Sequence, residues 1–186
     1  MEAIIISGMP AVGKTTVSKM VGERLQLQTV GGGDVLKEMA VEEGYSPGGE
    51  DWWDTDEGMR FLEERKKSSE FDKEVDARLI QKAKKGNVVI TSYPLPWLSS
   101  TGVKVWLSGN VKSRARRMSK RDHLSRSKCL RILSVRDVEN YRLYKKIYKI
   151  EFGKDLGPFD LVVDTDSIDE SKVAEIVIHY VRDRRE

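Results

Sequence analysis

The chain has 186 residues, of which 39% are hydrophobic and 34% charged, so it is long enough to form one domain with a buried core. Its only cysteine, Cys129, excludes an internal disulfide and a cysteine-based zinc site, and favours a reducing, cytoplasmic environment. The net charge of +3 is small, and no apolar stretch approaches the length that crosses a bilayer, so we expect no membrane partner.

The first predicted strand covers residues 3–7 and leads into a loop with the spacing G-x-x-x-x-G-K-[ST]. The loop reads Gly8-Met9-Pro10-Ala11-Val12-Gly13-Lys14-Thr15 and is followed by Thr16. Apolar residues then recur at helical spacing up to Leu25, so the loop ends at a helix N-terminus. Backbone amides in such a loop bind phosphate, its lysine reaches the β- and γ-phosphates, and the next hydroxyl holds Mg²⁺. The sequence therefore predicts ATP at residues 8–16, with Lys14 catalytic and Thr15 a metal ligand.

The rest of the chain alternates between short apolar segments and helical patterns. The further predicted strands cover residues 27–30, 87–91, 103–107 and 160–164. One helical pattern runs from Phe71 to Ala83 in four-residue steps and stops at Gly86, and the last runs from Val173 to Val181. This alternation predicts an α/β fold, with five parallel strands covered by helices on both faces.

Charge of opposite sign is concentrated in two segments. Thirteen acidic and five basic residues lie between Glu42 and Asp76, whereas ten basic residues and one acid lie between Lys112 and Arg136. The basic segment fits a solvated surface, or a cluster that neutralises a phosphoryl group near the loop. It has no aromatic residue to stack on bases, so we expect no nucleic-acid partner.

The basic segment contains arginines on one predicted helix face. Arg114, Arg117 and Arg121 share that face by their three- and four-residue spacing, whereas Arg116 lies off it and is expected to be solvated. We therefore include Arg114 among the predicted nucleotide-binding residues.

The longest stretch without a clear period covers residues 43–56 and contains Trp52 and Trp53. Long loops in compact domains are often binding loops, but tryptophans are also frequent core residues. Both interpretations of the two tryptophans stay open.

The order of these parts resembles the P-loop nucleoside monophosphate kinases, and most closely the archaeal cytidylate kinases. The similar segments are 3–15, 31–39, 71–76, 87–90, 114–121 and 159–165, together with Arg136, Tyr144 and Tyr148. The resemblance implies one P-loop kinase domain over residues 1–186. It would have a core at about 1–36, 70–121 and 150–186, an acceptor-binding part at about 37–69 and a zinc-free lid at about 122–136.

The chain departs from the family where the acceptor phosphate would bind. The family usually has an acid and an arginine after the third strand, whereas this chain has Thr91-Ser92-Tyr93-Pro94-Leu95-Pro96-Trp97. Lys37 stands where arginine is frequent, and Asn140 and Leu143 stand where many relatives have aspartate and arginine. The acceptor is therefore a nucleoside monophosphate such as CMP, or a small alcohol as in the related mevalonate 3-phosphate 5-kinase.

The resemblance and the residue chemistry together assign the site. We expect Lys14, Arg117, Arg121 and Arg136 to neutralise the transferred γ-phosphoryl group of MgATP. Asp34 fits a ligand or base for an alcohol acceptor and a helix cap equally well. The predicted acceptor-binding residues are Asp34, Lys37, Trp52, Trp53, Ser92, Tyr93 and Trp97.

Other function classes are less well supported. A GTP-dependent switch would need an Asn-Lys-x-Asp segment, and none of the three asparagines is followed by lysine. A non-catalytic nucleotide sensor would not need a cluster of arginines. The sequence leaves the oligomeric state open between a monomer and a homodimer.

Overall fold

A computed structural model describes residues 1–47, 57, 60, 61 and 70–184 of the chain. Its sheet contains β1 (Ile4–Gly8), β2 (Gln28–Gly31), β3 (Val88–Thr91), β4 (Val103–Ser108) and β5 (Leu161–Asp164). The strand order is β2-β3-β1-β4-β5, and every pairing is parallel. Both ends of each predicted strand lie within one residue of the observed ends, so the predicted α/β fold is confirmed.

Helices connect the strands and cover the sheet. They are α1 (Lys14–Leu25), α2 (Gly32–Glu42), α3 (Glu70–Lys85), α4 (Leu95–Leu98), α5 (Val111–Asp122), α6 (Arg126–Tyr148) and α7 (Glu170–Asp183). Within the described residues, no helix combines the length and the apolar character that crossing a membrane requires.

The sheet separates two apolar layers because β1 is buried on both faces. Ile5 packs with α2 and α3 on one side, whereas Ile4 and Ile6 pack with α1 and α7 on the other. Successive strand residues point to opposite faces, so a continuous apolar strand serves both layers at once. The result is a three-layer sandwich whose central strand is followed directly by the glycine loop.

An aromatic cluster lies beside this sandwich, between β4, α4 and the segment that precedes β5. Trp97 packs edge-to-face against Phe159, with ring centroids 4.9 Å apart, and against Trp106 at 6.1 Å. These contacts place Trp97 in a packed cluster, not in the acceptor pocket where the sequence predicted it. The prediction missed this cluster because Phe159, the nearest aromatic ring to Trp97, is distant in sequence.

The strands position the site through their carboxyl ends. The loop after β1 lies between the ends of β3 and β4, since β1 pairs with both strands. From β1 the chain moves to one side of the sheet to form β2, and from β3 it crosses β1 to the other side to form β4. Open parallel sheets bind ligands at such a reversal, outside the carboxyl ends of the strands.

Candidate active site

The glycine loop has a backbone that only certain residues tolerate. Gly8 has φ 152°, and a Cβ there would lie 2.4 Å from the carbonyl oxygen of Leu107. Gly13 has φ 106° and directly precedes α1 without a side-chain cap on the helix. The first amides of α1 are therefore available to an anion, which the helix dipole also favours.

Lys14 lies over this loop and is held by backbone oxygens. Its Nζ donates to the carbonyls of Gly8 at 2.8 Å and Met9 at 3.0 Å, and lies 4.4 Å from the ring centroid of Tyr93. Burial of the ammonium, together with the positive charges of Arg136 and Arg114, lowers the pKa of Lys14 to about 7. A phosphate beside Nζ would offset this excess of positive charge, so the surroundings of Lys14 fit an anionic ligand.

A pocket of about 460 Å³, here called the Arg117 pocket, opens on one side of the loop. Its walls are Ala11, Val12, Gly13, Thr16, Val17, Arg117, Met118, Lys120, Arg121, Thr165, Ile168, Glu170 and Val173. Arg117 donates through Nη2 to the carbonyl of Thr165, whereas its buried Nη1 has no hydrogen-bond partner within the described part of the chain. An unsatisfied buried donor is costly, so a phosphate-bearing ligand would complete this site.

Arg114 lies beneath the loop and does not line either pocket described for the site. It is 4% exposed, and it donates to the Pro10 carbonyl at 3.2 Å and to the Asp137 carboxylate at 2.7 Å. Arg114 thus supports the loop backbone from below, instead of lining a pocket as a nucleotide contact. The carboxylate that holds Arg114 in this position belongs to Asp137 on the next helix, α6.

The remaining arginines of the basic segment differ in their surroundings. Arg116 is exposed, which confirms the prediction from its spacing. Arg121 lines the Arg117 pocket, is 63% exposed, and donates to Asp122 at 2.5 and 2.9 Å. Arg136 extends from α6 toward Lys14, because its Nη2 donates to the hydroxyl of Tyr93 at 3.4 Å and its charge contributes to the lowered pKa of Lys14.

A second pocket of about 330 Å³, here called the Asp76 pocket, opens on the other side of the loop. Its walls are Lys14, Thr15, Gly32, Gly33, Leu36, Asp72, Val75, Asp76, Leu79, Thr91, Ser92, Tyr93, Pro94 and Tyr144. Ser92 and Tyr93, two of the predicted acceptor-binding residues, lie in this wall. Ser92 also accepts the Leu95 amide at 3.3 Å and so begins α4.

Two carboxylates in this wall were absent from the predicted site. Asp72 and Asp76 lie one turn apart on α3, and Asp76 is only 7% exposed. The Tyr148 hydroxyl donates to Asp76 Oδ2 at 2.7 Å. Burial, and secondarily the hydrogen bond to Asp76, raises the pKa of Tyr148, so its hydroxyl keeps the proton that it donates. The sequence contained one signal that could have identified Asp76, because this acid lies within the apolar face of the helix, next to Val75 and Leu79.

The other predicted acceptor residues lie outside this wall or outside the described residues. Asp34 is exposed and its Oδ2 accepts the Gly31 amide at 2.7 Å, so the cap interpretation has its contact in the structure. Lys37 is half-buried on α2, and the described wall includes neither Lys37 nor Asp34. Trp52 and Trp53 lie outside the described residues.

The site fits a magnesium ion that is held mainly by nucleotide phosphates. Among the described residues, no group of three or more His, Cys, Asp or Glu side chains could hold a metal by itself. Thr15 is exposed at the end of the loop and lies in the wall of the Asp76 pocket. Mg²⁺ commonly takes one or two protein oxygens together with phosphates and water, which Thr15 could supply.

Comparison with known proteins agrees with this geometry. Residues 3–167 match the cytidylate kinase-like family. The chain belongs to that family. The cytidylate kinase of Methanocaldococcus jannaschii is 35% identical over 179 residues, which cover 94% of this chain and 94% of the relative. The cytidylate kinase of Pyrobaculum islandicum is 33% identical over 183 residues, which cover 97% of this chain and 93% of the relative.

Membership of this family makes the protein an ATP-dependent kinase and confirms the resemblance stated from the sequence. The kinase is also similar to solved structures. An uncharacterized protein from Eubacterium ventriosum has a TM-score of 0.70 at 14% identity, with 98% of each chain covered. A shikimate kinase from Acinetobacter baumannii, in complex with shikimate, has a TM-score of 0.57 at 15% identity, covering 99% of this chain and 94% of that one. At such identities the likeness shows the fold alone.

Proposed function

We propose that the kinase transfers the γ-phosphoryl group of MgATP to CMP. The observation that carries this proposal is that one loop forms a wall of both pockets. Ala11, Gly13 and Thr16 line the Arg117 pocket, and Lys14 and Thr15 line the Asp76 pocket. Two phosphate-bearing ligands, one on each side, would therefore bring their phosphates together at Lys14. The relatives named cytidylate kinase supply CMP as the acceptor.

In this proposal ATP occupies the Arg117 pocket and its phosphates reach the loop amides. Lys14 exchanges its contacts with the Gly8 and Met9 carbonyls for the β- and γ-phosphates. Arg117, Arg121 and Arg136 neutralise the charge that develops on the phosphoryl group during in-line transfer. These residues act by positioning and electrostatics, since phosphoryl transfer needs little covalent chemistry from the protein.

An acceptor phosphate is already an anion, so the proposed reaction requires no general base. Asp34 can then remain a helix cap, as its contact with the Gly31 amide suggests. Thr15 would hold Mg²⁺ through its hydroxyl, and the ion would supply positive charge between the phosphates.

The proposal extends to the cellular location and the partners of the enzyme. We infer a cytoplasmic enzyme, because Cys129 is buried and unpaired and a nucleotide kinase draws on the cellular ATP pool. We expect a monomer or a homodimer that binds no nucleic acid.

The test is a coupled ADP-release assay with MgATP and, in parallel, CMP, dCMP, UMP, AMP, GMP and mevalonate 3-phosphate. We expect turnover with CMP to exceed turnover with every other acceptor. Turnover only with mevalonate 3-phosphate would replace CMP by the alcohol acceptor that the sequence left open. No turnover with any of the six compounds would reject the CMP proposal.

A further inference from the structure

The Asp76 pocket contains a charge that phosphate binding does not explain. Lys14 and Thr15 line it from the loop, whereas Asp72 and Asp76 line it from α3. Carboxylates repel an acceptor phosphate, so they are suited to a part of the acceptor that donates hydrogen bonds. In a nucleoside monophosphate that part is the base or the sugar.

Asp76 differs from an ordinary surface acid in its burial and support. It is 7% exposed and lies beside Val75 and Leu79 in an apolar wall. Burial of a carboxylate is expensive unless hydrogen bonds compensate for the lost water. Tyr148 provides one such bond at 2.7 Å and thereby fixes the orientation of the carboxylate.

We propose that Asp76 accepts a hydrogen bond from the 4-amino group of a cytosine base and makes the enzyme prefer CMP over UMP. This inference rests on the proposed function. Cytosine presents an N–H donor at position 4, whereas uracil presents a carbonyl acceptor there. An ionised carboxylate can only accept hydrogen bonds. It therefore pairs with the 4-amino group of cytosine, whereas the 4-carbonyl of uracil, also an acceptor, cannot bond to it.

Asp76 is the better candidate of the two acids in this wall. Asp72 lies one turn earlier on α3 and is half-buried, so water screens its charge more effectively. Tyr148 is a positioning residue in this scheme. It comes from the last turn of α6, and through the bond to Asp76 it connects α6 with α3 across 72 positions of the sequence.

The decisive experiment measures kcat/KM for CMP and UMP in the wild-type enzyme and in Asp76→Asn. Asparagine keeps the shape of the side chain but can donate an N–H to the uracil carbonyl. We expect the CMP-to-UMP ratio of kcat/KM to fall about 100-fold. Glu74→Gln, at an exposed acid of the same helix that lines neither pocket, is the matched control, and its ratio should stay within about threefold of the wild type. A fall of about 100-fold in Asp72→Asn, with an unchanged ratio in Asp76→Asn, would overturn the assignment to Asp76.

A substrate analogue tests the same contact without any substitution. The pyrimidin-2-one ribonucleoside monophosphate lacks the 4-amino group of CMP. We expect wild-type kcat/KM for this analogue to lie about 100-fold below the value for CMP, and the difference to shrink to about threefold in Asp76→Asn. Equal use of CMP and the analogue by the wild type would reject the inference even if Asp76→Asn did not fold.

Tyr148→Phe separates positioning from a purely structural role. Loss of the hydroxyl leaves the carboxylate in place but less well oriented, so the CMP-to-UMP ratio should fall about tenfold. A stability loss with an unchanged ratio would contradict the positioning role. Failure of the inference is distinct from failure of the proposed function. In the first case the wild type phosphorylates CMP but Asp76→Asn keeps its ratio, and in the second the wild type does not phosphorylate CMP.

Discussion

The two pockets on either side of the glycine loop are built in opposite ways. The Arg117 pocket combines loop backbone with Arg117, Lys120 and Arg121, whereas the Asp76 pocket places two carboxylates among apolar and aromatic side chains. The basic and acidic segments of the sequence also lie apart in the fold. The basic segment lines the Arg117 pocket, and the acidic segment contributes to the Asp76 pocket. A phosphate-rich ligand suits the first, and a ligand with one phosphate and several donors suits the second.

The comparison teaches how generic and specific recognition differ in this fold. Loop amides and arginines bind phosphate whatever molecule carries it, so phosphate binding in the Arg117 pocket depends on two local motifs, the glycine loop and the arginines of α5. The Asp76 pocket depends on side chains from α2, α3, β3 and α6, which meet only in the folded protein. Lys14 lines the Asp76 pocket and belongs to the loop that borders the Arg117 pocket. We therefore expect the ligands of both pockets to need it.

The largest expected effect comes from Lys14→Ala, which removes the charge where the pockets meet. We expect kcat to fall about 1000-fold, as for loss of a central electrostatic group in other enzymes. The fold should survive, because the lysine ammonium is buried at an energetic cost in the free enzyme. Steady-state kinetics and circular dichroism measure the two effects. Lys19→Ala, an exposed lysine of the same helix, is the control, and equal losses in both variants would contradict a special role for Lys14.

Arg121→Ala tests whether the arginines of the Arg117 pocket act on the transferred group or only bind ATP. The side chain is bound to Asp122 in the free protein and must leave that carboxylate to reach a phosphate. We expect kcat to fall about 100-fold and the Kd for ATP to change less than threefold. Titration calorimetry with ATP measures the Kd. An equal loss in kcat and in affinity would indicate ground-state binding alone, and Arg116→Ala is the matched exposed control.

Asp137→Ala tests the support beneath the loop. Arg114 would keep a buried positive charge without its partner, which costs about 3 kcal/mol of unfolding free energy. For a chain of this size we expect Tm to fall by about 9 °C, measured by calorimetry. Glu139→Ala removes an exposed acid from the same helix and should change stability by less than about 0.5 kcal/mol. Similar melting temperatures for the two variants would refute the supporting role of the ion pair.

The smallest expected effect concerns pH. The pKa of Lys14 is lowered to about 7 in the free enzyme, so the amine loses its proton as the pH rises through 7. Phosphate stabilises the charged form, so ATP binding above pH 7 must take up a proton, and affinity must fall as the pH rises. We expect the Kd for ATP to increase about fivefold from pH 7 to pH 8.

Lys14→Arg is the control for this pH dependence, since a guanidinium stays charged throughout the range. Its Kd for ATP should be constant between pH 7 and pH 8. Calorimetry in buffers of different ionisation enthalpy would reveal the proton uptake directly. A wild-type Kd that is independent of pH would show that the Lys14 ammonium is not deprotonated in the free enzyme.

Parts of the site that lie close together in the sequence could be predicted. The loop of residues 8–15 and the solvated position of Arg116 follow from spacing within one loop or one helix. Parts that depend on distant partners could not. Trp97 packs on Phe159, and Arg114 pairs with Asp137 on the next helix. Asp76 accepts a hydrogen bond from Tyr148, and no pattern of neighbouring residues predicts that bond.

By itself the sequence determined the order of strands and helices along the chain, the phosphate loop and the separation of an acidic segment from a basic one. Those features depend on local periodicity, on glycine conformations and on composition, which are properties of neighbouring residues. Only the tertiary structure decided which charges became buried, which arginine supports the loop and which acid lines the second pocket. Burial and pairing are set by the elements that pack together, and in this fold the ends of distant strands and helices meet at a single loop.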